Sequence, residues 1–174
     1  MSRPRFFDRR AAGRELADLL GAWMSGNPLV LGLPRGGVPV AAEIAHELEA
    51  DLDVVVVRKL GFPGHPEVAM AALASAAGTT ELVRNQDLMV ELDKLADGRR
   101  LFEETLARET VELARRERKY RGQRPPLVVN GRTVIVVDDG LATGATMRAA
   151  VAALRTLDPD RIIAAAPVGA PTAV

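Results

Sequence analysis

The sequence predicts a three-layer α/β domain built on a central, mainly parallel sheet. Three observations carry that prediction. First, four short apolar runs, "LVLGL" (29–33), "LDVVVV" (52–57), "TVIVVDD" (133–139) and "RIIAAAPV" (161–168), read as strands, the first three as buried ones, and the continuous run of "LDVVVV" has the pattern of a strand covered on both faces. Second, stretches of helical period stand between these runs, which implies right-handed strand–helix–strand crossovers. Third, 174 residues is the length of one domain with a sizeable core.

Taken in order, Asp8 caps a first helix over roughly 9–23, where Ala12, Leu16, Leu19, Leu20 and Trp23 recur at helical spacing until "SGNP". Strand 29–33 follows, then the turn "PRGG", then a helix over 38–50 with Val40, Ile44 and Leu48 on one face. Strand 52–57 completes a strand–helix–strand unit. Residues 58–83 mix Gly, Pro and small side chains without a sustained period; they predict a mobile loop with strand-like pieces near 67–75 and 81–83. From Asp87 to Tyr120 the period is helical again, with Gly98 a break between two pieces. Residues 84–124 carry eleven basic and nine acidic side chains, the balance of a solvated helix face. The basic run from Arg115 to Arg124 complements a helix C-terminus. Strand 133–139, helix 145–157 and strand 161–168 close the domain.

Composition removes several function classes. Lysine plus arginine and aspartate plus glutamate both number 23, so nothing global favours nucleic acid or an anionic membrane as partner. The chain has no cysteine and two histidines, which excludes disulfides and disfavours structural zinc. No apolar run approaches the ~20 residues that span a bilayer, and "MSRPRFFDRRAAGRELADLL" lacks a secretory pattern. The reading is a soluble, cytoplasmic protein.

Two loops share one plan, an apolar strand running through small residues into a helix, and in open α/β sheets such loops open onto the carboxyl edge. In "DDGLATGATM", Gly140 to Thr146 precede a helix whose first N–H groups point outward, a seat for phosphate. Gly140 and Gly144 permit close approach, and Thr143 and Thr146 add hydroxyls. No lysine lies in the loop, so it is not a Walker A sequence. Asp138 and Asp139 suit vicinal sugar hydroxyls, with a magnesium ion in the same neighbourhood. A strand-end turn and a magnesium-dependent phosphoryl-transfer site remain open for the bare pair. In the second loop, Arg35, Gly36 and Gly37 offer a guanidinium and two amides to another anion.

"VIVVDDGLATGAT" resembles the phosphoribosyl pyrophosphate (PRPP) signature of the type I phosphoribosyltransferases. "LGLPRGG" looks like their pyrophosphate loop and "VVRKLGFPGHPE" like the start of their mobile loop, so that the likeness covers most of 6–170 and points to a group of bacterial phosphoribosyltransferases. The resemblance implies a Rossmann-like phosphoribosyltransferase fold in one domain, 1–174, with a helical hood-like insertion at about 84–124. It implies transfer of ribose 5-phosphate from PRPP to a nucleobase or related acceptor, with release of pyrophosphate, Mg²⁺ as cofactor and a homodimer. By matched motif, Asp138 and Asp139 would hold the ribose hydroxyls, Ala142, Thr143, Gly144, Ala145 and Thr146 the 5-phosphate, and Arg35 and Gly36 the pyrophosphate; Lys59 and Arg58 would come from the mobile loop. The metal would be held mainly by PRPP, near Asp138 and Asp139.

The alternative from another class is a non-catalytic PRPP- or nucleotide-binding module; a sugar-phosphate hydrolase would need a nucleophile or base that the sequence does not offer. The chain stops at "GAPTAV", where such enzymes commonly place base contacts. The expectation is therefore a base site borrowed from 84–124 or another subunit, or a shortened chain. With aromatic residues at 3%, stacking on a base falls to Phe62, Phe102 or Tyr120.

Overall fold

The computed structural model describes residues 6–23, 26–76, 78–125 and 127–170. Six strands form one sheet in the order β4-β3-β2-β1-β5-β6: β1 (Leu29–Gly32), β2 (Asp51–Phe62), β3 (His65–Ala76), β4 (Thr79–Arg84), β5 (Thr133–Val137) and β6 (Arg161–Ala165). β2, β1, β5 and β6 are parallel, while β3 and β4 extend the sheet in antiparallel fashion. The helices are α1 (Arg9–Leu20), α2 (Gly37–Glu47), α3 (Gln86–Asp93), α4 (Gly98–Arg121) and α5 (Ala145–Arg155).

The continuous apolar runs explain the layers. Because side chains alternate across a strand, Leu29, Leu31, Val134 and Val136 face α5, where Met147, Ala150 and Leu154 meet them. Their neighbours Val30, Ile135 and Val137 face α2, against Val40, Ala41 and Ile44. Val54 and Val56 turn from the same sheet to Phe102 and Leu113 of α4. Burying an aliphatic side chain on either face contributes about 1.5–3 kcal/mol, so a strand buried on both faces tolerates few polar residues.

The predicted helices form, with Asp8 accepting a hydrogen bond from the Ala11 amide at 2.8 Å as the cap of α1. Leu19 and Trp23, the latter in a short 3₁₀ turn after α1, are exposed, so neither is part of the apolar face the sequence suggests. Gly98 opens α4, where an added Cβ would strike the Leu92 carbonyl, confirming the break between two helical pieces.

Residues 58–83 depart from the expected irregular loop. β2 continues to Phe62, turns through Pro63 and Gly64 (φ 79°), and returns as β3. Proline then glycine at the two turn positions suits a type II turn. The pairing slips on either side of Gly61, where a side chain would collide with Pro66. This hairpin gives a weak strand signal because β3, "HPEVAMAALASA", is rich in alanine, a residue depleted from strands, and cross-strand pairing supplies the order.

One buried ion pair fastens α4 to the sheet. Arg121 donates to Asp53 at 2.9 Å, and both are almost fully enclosed. Arg115, Arg116 and Arg118 lie on the helix surface, and Arg124, just past the helix, donates to the Arg121 and Tyr120 carbonyls. Arg115 and Arg116 grip Glu112, whose carboxyl their hydrogen bonds bring down to about 2. Arg118, Lys119 and Arg121 stand in the last turn of α4, the helix C-terminus where the sequence places these cations.

Candidate active site

β5 is buried at every position and delivers Asp138 and Asp139 to the carboxyl edge of the sheet. Asp138 is the last residue tied to β6, its amide donating to the Ala165 carbonyl at 3.1 Å. The following loop is pinned at Leu141, whose amide donates to Val168 (3.0 Å) and whose carbonyl accepts from Ala170 (2.8 Å). The chain then enters α5 through Gly144 at φ 67°, a left-handed conformation that glycine adopts without strain. Gly144 brings no side-chain cap, and Thr143 Oγ1 meets only the Ala145 amide, at 3.4 Å. The N-terminus of α5 therefore keeps outward N–H groups and its positive dipole end for an anion.

These residues line a cavity of about 200 Å³: Asp138, Gly140, the run from Leu141 to Met147, and Lys59 from β2. Lys59 is thus brought to the loop before α5 from a strand far away in sequence. Its neighbour Arg58 points to the other face of β2 and is held by Glu109 of α4 at 2.6 and 2.8 Å. The alternation of a strand separates the two cations. Arg58 does not line the cavity.

The second loop lies directly beside the aspartates. The Leu33 amide donates to the Val137 carbonyl at 2.8 Å, joining the ends of β1 and β5. A Cβ on Gly36 would overlap the Asp139 carboxylate, and one on Gly37 would overlap the Val137 carbonyl. The Gly37 amide donates to Leu33 within the loop, so this glycine serves close packing. The Pro34–Arg35 peptide is cis. Arg35 is exposed, and its guanidinium has no carboxylate partner among the described residues.

The two carboxylates occupy different surroundings. Asp138 is partly enclosed, and burial pushes its carboxyl up from the ordinary aspartate value; the Asp139 amide at 2.9 Å opposes the shift, and the charge of Asp139 adds to it. Asp139 is met by Arg9, whose Nε and Nη2 donate to the same oxygen, Oδ2, at 2.8 and 2.6 Å. Sequence reasoning missed Arg9. A signal was available: two arginines open α1, with no acidic residue in its first turn, against the preference of a helix N-terminus for negative charge. Such a local conflict often marks a working site.

The three aromatic candidates are not presented to the cavity. Phe102 is buried under α4, Phe62 and Tyr120 pack on the same cluster, and Arg84 covers the Phe102 ring at 5.7 Å. Phe102 is core, and Phe62 and Tyr120 are partly buried against it. His65 and Glu67 sit exposed beside the hairpin turn, 3.7 Å apart. Among the described residues no cluster of three metal-ligating side chains occurs, and no helix is long and apolar enough to cross a membrane.

The chain is similar to known proteins over nearly its whole length. The family model described as "Phosphoribosyl transferase domain" matches residues 9–173. A Mycobacterium tuberculosis H37Rv protein named "Putative phosphoribosyl transferase Rv0571c" is 43% identical over 167 residues, 94% of this chain and 36% of that protein. The chain thus spans about a third of the length of the curated relatives it matches. The crystal structure of TT1426 from Thermus thermophilus superposes with a TM-score of 0.84 at 44% identity, covering 98% of this chain and 78% of that one. A purine phosphoribosyltransferase from Pyrococcus horikoshii shares the fold alone, at 17% identity and a TM-score of 0.53, over 94% of this chain and 74% of its own. A family model matched over residues 9–173 and a relative 43% identical over 94% of the chain lead to one conclusion: the chain belongs to the phosphoribosyl transferase domain family.

Proposed function

We propose that the chain transfers ribose 5-phosphate from PRPP to a nitrogen of a nucleobase or related acceptor, releasing pyrophosphate. The observation that carries this reading is the shared cavity: the uncapped N-terminus of α5, the Asp138 carboxylate and the Lys59 ammonium face one space. An anion and a polyol belong together there. The 5-phosphate takes the amides and hydroxyls from Ala142 to Thr146, and the ribose hydroxyls donate to Asp138 and Asp139. Pyrophosphate lies toward Arg35 and Gly36, with Gly37 supporting the loop.

The reaction breaks the bond between the anomeric carbon and pyrophosphate and forms one to the acceptor nitrogen. Positive charge gathers on the sugar in the transition state, and the aspartates favour it; Arg35 and Lys59 favour the departing anion. Arg58, fixed by Glu109, orders the helical segment beside β2 and takes no direct part. Mg²⁺ fits this donor set, because it binds through substrate phosphates with one or two carboxylates and needs no protein cage. Asp138 and Asp139 are the carboxylates that would stand near it. When bound, it would neutralise pyrophosphate charge.

A larger cleft of about 370 Å³ opens from Lys59 and Ala145 between α5 and the β3–β4 edge, giving further space beside the phosphate loop. The reading is of one domain with α3 and α4 as an inserted hood, working in the cytoplasm as a homodimer. Purified protein given PRPP, Mg²⁺ and a panel of purine and pyrimidine bases is expected to release pyrophosphate with at least one of them. Calorimetric binding of PRPP without release across the panel would favour a regulatory module.

A further inference from the structure

We infer that Arg9 is a further positioning residue of this site, acting through Asp139; the inference rests on the phosphoribosyl reading above. The two donors of Arg9 converge on Oδ2, so the guanidinium leaves Oδ1 unengaged. One carboxylate oxygen is held while the other is left for a ligand hydroxyl. Fixing the carboxylate before the sugar arrives removes rotamer freedom that binding would otherwise have to freeze.

Charge gives a second reason. The loop at α5 favours an anion, yet two adjacent carboxylates stand at its entrance. A guanidinium on Asp139 cancels one of them, so that a polyanionic sugar phosphate can approach a pair that would otherwise repel it.

The placement of Arg9 is built into the fold. α1 rests on α2, with Ala12, Gly13 and Ala17 buried, and a Cβ on Gly13 would strike the Val40 carbonyl and Glu43. Arg10 and Arg14 reach Glu43 of α2 at 3.8 and 2.9 Å. α2 itself begins at Gly37, at the end of the Arg35 loop. The first turn of α1 is therefore braced against the element that also carries that loop, and Arg9 is its one arginine aimed at the carboxylate pair.

The test measures PRPP affinity by calorimetry, and the PRPP KM and kcat in the transfer assay, for Arg9→Gln, Arg9→Lys, Arg14→Gln, Asp139→Asn and the Arg9→Gln/Asp139→Asn double variant. Arg9→Gln is expected to weaken PRPP binding about tenfold or more, mainly through KM, with the melting temperature close to that of the unaltered chain. Lysine keeps the charge but not the paired donors, so Arg9→Lys should recover part of the loss. Arg14→Gln removes one of two arginines on Glu43 while Arg10 and the buried face of α1 still hold the helix, so it should leave affinity unchanged. Asparagine keeps one acceptor oxygen, so the Asp139→Asn background stays measurable, and adding Arg9→Gln there should change little.

Unaltered affinity in Arg9→Gln, an equal loss in Arg14→Gln, or losses that multiply in the double variant would each overturn the role of Arg9. If Arg9→Gln fails to fold, Arg9→Lys decides, since wild-type affinity and KM in that folded variant would count against paired donation. Failure of the unaltered chain to bind PRPP would instead overturn the underlying phosphoribosyl reading.

Discussion

The two glycine loops at the sheet edge look alike in sequence and behave differently in space. In "DDGLATGAT", Gly144 takes a left-handed conformation and leaves the start of α5 open. In "LPRGG", Gly36 and Gly37 have ordinary helical or near-helical backbone, and their missing side chains make room for Asp139 and Val137. One loop uses glycine for conformation, the other for contact. The first can therefore offer amides to an anion, whereas the second offers mainly the side chain of Arg35 and brings the loops together.

The largest effect should come from removing what the two loops share. Asp138→Asn with Asp139→Asn is expected to lower PRPP affinity more than about a hundredfold while the fold survives, because asparagine keeps the shape and loses the charge that sugar hydroxyls favour. Calorimetry with PRPP, beside circular dichroism of the same sample, checks this. Unchanged affinity would remove the aspartates from the site.

A smaller pair of effects separates conformation from contact. Gly36→Ala forces a methyl group into the Asp139 carboxylate and should cost about 1–3 kcal/mol in stability and at least about tenfold in PRPP affinity. Gly144→Ala meets a left-handed backbone and should cost about 1–2 kcal/mol, with a smaller loss of affinity because the amides remain. Chemical denaturation and PRPP titration of the two variants give the comparison. If Gly144→Ala harms binding more, contact between the loops is not what Gly36 supplies.

The smallest effect is one of pH. Asp138 has its carboxyl raised in the folded chain, chiefly by burial, so the folded state binds its proton more tightly than the unfolded state does. Its contribution favours folding at acid pH and is lost as pH climbs from the unfolded value through the raised folded one. PRPP binding should change the other way, strengthening as Asp138 ionises. Denaturation midpoints across that range, compared with Asp138→Asn, should show the dependence flattened in the variant.

The legible parts of the fold were those in which local pattern and tertiary environment agree. The valine-rich runs could only be strands covered on both faces, and Asp8 and Gly98 marked helix boundaries by their own chemistry. The hairpin from Asp51 to Ala76 was less legible. Its second strand is rich in alanine, and its order comes from cross-strand partners that no local window contains. Likewise Phe62, Phe102 and Tyr120 read as stacking groups because aromatics are scarce, yet α3 and α4 make them a core.

The sequence by itself determined the alternating plan of strands and helices, the glycine- and threonine-bearing loop before α5 and the acidic pair beside it, because each depends on residues adjacent in the chain. Tertiary structure alone decided which distant side chains join that loop. It turned Lys59 toward the cavity and Arg58 toward Glu109, since successive residues of a strand face opposite ways. It also laid Arg9 on Asp139, 130 positions apart, through a helix docked on α2. Such pairings follow from the docking of whole elements, a property that no short stretch of sequence carries.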